Sequence, residues 1–274
     1  MFKIIIMALL IFIGMVGYDN ITDKAQPTTP VQQEQQKISK HEKSAAMALF
    51  TSLLPPKEEW PSPVHKFYLA FNMDEVIDPI RQNPNWTSLD AMSRDIPQAL
   101  IAIEDHGFYN HGAIAVEGIL RATLANINAG EVVQGGSTLT QQFVKNVFLS
   151  HEQSMERKIE EAILSLMLED NYSKDEILEL YLNTTYFGAG STGIRQASKT
   201  YFGKAPSALT LAEAAVIASL PYAPTSLNPL ENPEGCKKRQ LLVLAAMHKY
   251  GMINQGQLAE AKAEKIRLTN GTFM

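Results

Sequence analysis

The chain has 274 residues, 45% of them hydrophobic and 19% charged, with 24 Lys and Arg against 29 Asp and Glu for a net charge of −5. That size holds one substantial domain plus a short appendage, and the acidic balance excludes nonspecific nucleic-acid binding as the main activity, because neutralising phosphates needs a cationic face. One cysteine, Cys236, excludes an intrachain disulfide and a thiolate-rich metal site.

After Lys3, residues 4–17 (IIIMALLIFIGMVG) are uncharged. The run is short against the roughly 20 apolar residues of a full span and matches a signal-peptide core in size. No small-x-small pattern and no lipobox cysteine follow, so residues 1–18 read as an uncleaved membrane anchor, with a cleaved signal as the alternative. Either exports what comes next. Residues 19–84 read as a polar tether and approach segment, Gln-rich and interrupted by Pro27 and Pro30. Within it residues 44–54 have the composition expected of a short apolar helix, which Pro55, Pro56, Pro61 and Pro63 would end.

From about residue 86 the pattern is helical. Thr87-x-x-Asp90, Ser173-x-x-Glu176 and Thr210-x-x-Glu213 have the spacing of capping boxes. The runs 157–169, 174–182 and 211–220 repeat apolar residues three and four apart. Alternating strand patterns are scarce. The expectation is an all-α domain over 85–250 and a helical tail over 251–274, with its helix near 254–266.

Three clusters carry polar groups suited to chemistry. In the first, Glu104 and Asp105 follow the apolar run 99–103, with Phe108 and His111 after them. A carboxyl at the end of such a run can be poised as a base by desolvation, or can be a solvated helix terminus. His106 and His111 lack metal-site company on one helix face. The second is Gly135-Gly136-Ser137-Thr138, leading into a helix that carries Gln141, Gln142, Lys145 and Asn146. Its polar stripe and N-terminal end suit a diphosphate, or make an ordinary surface helix after a glycine turn. GxxxxGK[ST] is absent, so this is no nucleotide P-loop. The third is Arg157-Lys158-x-x-Glu161, where Arg157 and Glu161 can pair across one turn as a surface ion pair or beside a bound phosphate.

In this order EDxxFxxH (104–111), GGSTLTQQFVKN (135–146) and RKxxE (157–161) resemble the family 51 glycosyltransferases, the peptidoglycan polymerases found alone or as the first domain of bifunctional penicillin-binding proteins. Lys174-x-x-Ile177-Leu178-Glu179-x-Tyr181-Leu182-Asn183 with Tyr186-Phe187-Gly188, and Leu211-x-Glu213-Ala214-Ala215 with Leu220-Pro221 and Pro224, extend the likeness over about 88–250. The resemblance implies a lysozyme-like helical lobe and a smaller, hydrophobic, membrane-facing lobe to which residues 113–134 would belong. It implies polymerisation of lipid II onto a growing polyprenyl-linked glycan, with inversion to a β-1,4 bond and release of polyprenyl diphosphate. Glu104 would be the base and Glu161 the second carboxylate. Ser137, Thr138, Gln141, Gln142, Lys145, Asn146, Arg157 and Lys158 would bind the diphosphate. Asp105, Phe108, His111, Lys174, Tyr181 and Asn183 would shape the cleft. A divalent cation, Mg or Mn, near Glu161 is compatible with the family, and no covalent cofactor is implied. The implied partners are membrane lipid, the lipid-linked substrates and other cell-wall synthesis proteins, and the implied place is the outer face of the inner membrane, held by a single-pass anchor. No Ser-x-x-Lys tetrad occurs, so a monofunctional enzyme is expected. Ala115, Gln153 and the run Arg239-Gln240-Leu241 depart from the family pattern. Two other readings stay open: a lysozyme-like lytic transglycosylase or hydrolase of glycan strands, and a non-catalytic scaffold.

Overall fold

The computed structural model describes residues 68–69, 72–115, 118, 136–150 and 154–274. Of the membrane-facing lobe expected over 113–134, all but residues 113–115 and 118 lie outside them, as do the anchor, the 44–54 helix, Gly135 and Gln153. What is described belongs to one compact unit, Lys66–Met274.

Among the described residues the elements are α-helices, in chain order α1 (Asp74–Arg81), α2 (Asp95–Glu104), α3 (Leu139–Phe148), α4 (Met155–Asn171), α5 (Lys174–Thr184), α6 (Ile194–Phe202), α7 (Leu211–Ser219), α8 (Pro233–Lys249) and α9 (Gln255–Ala263). Extended pairing is confined there to two isolated bridges, Tyr186 with Thr192 and Arg267 with Phe273. The all-α expectation agrees with this.

Most of the starts are written in side chains. Thr138, Ser173, Thr210 and Asn254 each accept from the backbone N–H three residues on, and the Gln or Glu there bonds back. Each such box satisfies two of the donors a helix leaves open. Ser154 caps α4 and Asn232 caps α8, where Pro233 takes the first helical position. Thr87-x-x-Asp90 departs from its expected role. Ser88 precedes a single 3₁₀ turn, Leu89–Ala91, without side-chain capping. Glu179 and Asn183 on α5 have instead taken the backbone N–H groups of Leu89 and Thr87. α1 lies in the stretch read as an approach segment, and Ile77 and Met73 there are buried.

α2 packs against α7 and α8, and α3 packs against α4 and α5. Ile96, Leu100, Leu139, Phe143, Leu168, Ile177, Tyr181 and Ile217 belong to one continuous core, each such side chain contributing about 1.5–3 kcal/mol by leaving water. The turn between α5 and α6 is held by close backbone approach. Gly188, at φ 87°, leaves no space for a Cβ, which would lie 2.2 Å from the Pro224 carbonyl oxygen. Only glycine fits there.

Candidate active site

Glu104 is the last residue of α2, and the core under Ala99, Leu100, Ile101 and Ala102 brings it to the edge of the apolar interior. Its Oε2 accepts from Gln142 Nε2 on α3 at 3.0 Å. The Gln142 oxygen in turn accepts from the Tyr181 hydroxyl on α5 at 3.0 Å, which fixes which end of the amide faces the carboxylate. Burial pushes the Glu104 carboxyl above its ordinary range; the Gln142 bond and then the positive charge of Arg239 oppose this, Asp105 adds to it, and Lys145 opposes it more weakly. The Tyr181 phenol is fully buried and is pushed upward by desolvation and by the charge of Glu104. A carboxylate with a raised pKa, one oxygen anchored, is suited to take a proton near neutral pH.

Asp105 serves a different purpose from its neighbour. One oxygen meets His111 Nε2 at 2.6 Å, and the other accepts from the Leu139 backbone N–H at 3.0 Å. The His111 Nδ1 meets the Gly112 carbonyl at 2.7 Å. Asp105 therefore occupies the positive end of α3, the place where the sequence reading seated a diphosphate. Thr138 and Gln141 are buried; the Thr138 hydroxyl and the Gln141 amide oxygen make the capping box, and the Thr138 hydroxyl also donates to the Ala113 carbonyl. The structure thus puts these two residues in the helix start rather than on its open side. Gln142 and Lys145, three apart, share the open side of α3, and Lys145 and Asn146 are exposed.

The third cluster is drawn tightly together. Glu161 on α4 is buried, bonded to Arg157 Nη1 at 2.9 Å and to Lys158 Nζ. Lys158 also donates to Ser137 Oγ at 3.1 Å. Arg157 Nε is buried without a hydrogen-bond partner, an unsatisfied donor beside a charged pair. Ser137 and Gln142 are five residues apart across the start of α3. The two carboxylate sites are therefore reached from one short segment of chain. Both Glu161 oxygens already hold cations, and the described residues contain no group of three metal-ligating side chains. The donor set does not fit a resident divalent cation.

The remaining expected residues support the site from behind. Phe108 is wholly buried, with Lys174 Nζ 4.5 Å from its ring centroid and 2.7 Å from Glu169. Thr140 donates to the same Glu169 oxygen, so this group ties α3, α4 and α5. Asn183 exchanges hydrogen bonds with Thr87, which holds the segment before α2. Arg239 on α8, named in the sequence only within a run that departs from the family pattern, is a further cation whose charge reaches Glu104. Nothing in the local pattern ties residue 239 to residue 104; only the packing of α8 on α2 does.

Comparison with known proteins agrees with the geometry. A family model for transglycosylases matches residues 73–248. A protein of Cupriavidus necator that carries the transglycosylase name is 40% identical over 194 residues, 71% of this chain and 84% of its own length. Penicillin-binding protein 1A of Neisseria flavescens is 44% identical over 185 residues, 68% of this chain and 23% of that protein. Penicillin-binding protein 1A of Aquifex aeolicus is 44% identical over 176 residues, 64% and 24%. The chain thus spans about a quarter of the length of these two penicillin-binding proteins. With its motifs in order on a helical fold and the match running from residue 73 to residue 248, the chain belongs to the transglycosylase family, the family 51 glycosyltransferases.

Proposed function

We propose that this transglycosylase polymerises lipid II into β-1,4 peptidoglycan strands, with Glu104 as the general base. The acceptor's sugar 4-hydroxyl attacks the anomeric carbon of a growing glycan on polyprenyl diphosphate. A C–O bond forms as the bond from that carbon to the diphosphate breaks, the hydroxyl proton passes to Glu104, and the charge leaves with the diphosphate. Attack opposite the leaving group inverts the anomeric centre. Lys145, Arg157 and Lys158, with Ser137 and Asn146, are the groups we assign to the developing charge, where fixed cations lower the barrier. Glu161 would hold Arg157 and Lys158 in place rather than touch substrate.

One observation carries the reading. A desolvated carboxylate is anchored on the same short segment, Ser137 to Gln142, that touches Lys158, and Glu161 ties Lys158 to Arg157 with its spare buried donor. A hydrolase of finished strands has no use for those cations. We place the reaction at the outer face of the membrane because both substrates are lipid-linked. No helix among the described residues is long and apolar enough to cross a bilayer, so an anchor in this proposal is the 4–17 run. The 274 residues hold no Ser-x-x-Lys tetrad, and we assign them polymerisation alone.

The test uses lipid II and the full chain. Wild type should form polymer, and Lys145→Ala should weaken binding of a phosphoglycolipid about tenfold or more, the scale of one charge-assisted contact. Release of soluble fragments from preformed strands, with no polymer from lipid II, would replace this reading with the hydrolase.

A further inference from the structure

α4 is apolar on its outer side as well as on its inner one. At about 3.6 residues per turn, Glu161, Leu164 and Leu168 fall on one side of the helix, and all three are buried. Met155, Ile159 and Leu166 fall opposite them, within about 40° of one another around the axis. They are 78%, 57% and 42% exposed. Ala162 and Ile163 border the same row and are half-buried. A surface helix ordinarily turns polar residues to this side, and large apolar side chains in an unbroken row mark a contact surface where single ones do not. From Met155 to Leu166 the row follows the axis for about 16 Å. One flank of it is cationic. Lys158 is three residues from Met155 and so its neighbour on the helix surface; its side chain is 43% exposed, and its Nζ bonds Ser137 and Glu161. The other flank carries Glu156 and Asp170, both exposed.

We propose that the row Met155, Ile159 and Leu166 seats the isoprenoid chain of a lipid diphosphate, the part next to the head group, while Arg157 and Lys158 hold the diphosphate itself. The inference rests on those two cations being the diphosphate site. A ligand with its charge at one end and hydrocarbon behind it matches a helix that carries cations on one flank of an apolar row. A flat anionic lipid surface matches it less well, because it would meet Glu156 and Asp170 as well as Lys158. The isoprene units nearest the head group are those drawn out of the bilayer when the diphosphate reaches the cations, and the row gives them an apolar surface in place of water. Once the head group is held, laying the chain on the row is an intramolecular step that adds affinity without a second cost of association.

The experiment compares binding of farnesyl diphosphate and of inorganic diphosphate to the full chain in one fixed neutral detergent. Wild type should bind farnesyl diphosphate about tenfold or more tightly than inorganic diphosphate, the scale of one apolar contact of modest area. Replacing the row together, Met155→Ser with Ile159→Ser and Leu166→Ser, should bring the two within about threefold by weakening only the farnesyl ligand. These side chains are exposed, so the serines open no cavity in the core. Ile159→Leu alone, which keeps the apolar surface, should retain the preference. Equal affinity for the two ligands in wild type, or a preference that survives the triple replacement, would overturn the proposal and leave the cations as the diphosphate site. A triple variant that loses binding to neutral phosphatidylcholine vesicles yet keeps its farnesyl preference would overturn it too, and make the row a bilayer contact. Inorganic diphosphate binding that is unchanged by Lys158→Ala combined with Arg157→Ala would instead sink the cation assignment, and the seat of the chain with it.

Discussion

At the scale of single residues, the site divides its carboxylates by surroundings rather than by type. Glu104 has a raised pKa and one anchored oxygen, Asp105 is bound to a histidine and a helix start, and Glu161 lies between two cations. Gln142 presents an N–H to Glu104 Oε2, which leaves Oε1 the less engaged oxygen for a proton from substrate in the proposed reaction. Glu104→Gln should abolish polymer formation and leave binding of a diphosphate lipid within about threefold, since the side chain touches the hydroxyl rather than the phosphates. Its stability carries a second signal. A carboxyl whose folded pKa lies above the ordinary 4.5 binds more protons folded than unfolded, so native stability falls as pH rises from that value through the folded pKa. Thermal melts should therefore show Glu104→Gln gaining on wild type between acid and neutral pH; an advantage that shrinks as pH rises would contradict it. Glu161→Ala leaves Arg157 and Lys158 without their shared partner in a mostly buried place, and a loss of about 3 kcal/mol in urea unfolding is expected. A loss below 1 kcal/mol would show the cluster to be solvent-relaxed.

At the scale of elements, what could be read from the sequence was what is encoded within a few residues. The helices at 157–169, 174–182 and 211–220 and the tail helix appear close to their expected places, because cap and periodicity are local signals. The boxes at Ser173 and Thr210 were legible for the same reason. Thr87 was not, because Asn183, 96 residues away, claims its backbone. α1 was hidden by its polar composition and by Pro79 inside it. In the site, the 157–161 pairing followed from spacing and the two glutamates were singled out by the family resemblance, whereas the burial of Thr138 and Gln141 depends on tertiary packing. Thr138→Ala removes both the α3 cap and the partner of the Ala113 carbonyl. It should cost about 1–2 kcal/mol, seen as a drop of roughly 2–8 °C in Tm for a domain of this size. A melt unchanged within 1 °C would mean the cap contributes nothing.

At the scale of the whole molecule, the compact unit Lys66–Met274 contains the continuous core and every side chain assigned to the site. A chain of residues 66–274 should therefore unfold in one cooperative transition and polymerise lipid II in detergent; two separate melting steps would contradict the single core. The pairings that define Glu104 span long stretches of sequence: 38 residues to Gln142, a further 39 from there to Tyr181, and α8 lies beyond both. Loops of that length close late in folding, since their entropy must be met before their contacts help. A half-synthesised or clipped chain, even one with its early helices formed, lacks the tyrosine that orients Gln142 and the arginine that faces the carboxylate. Catalytic competence here doubles as a completeness check, withheld until the last third of the domain has arrived.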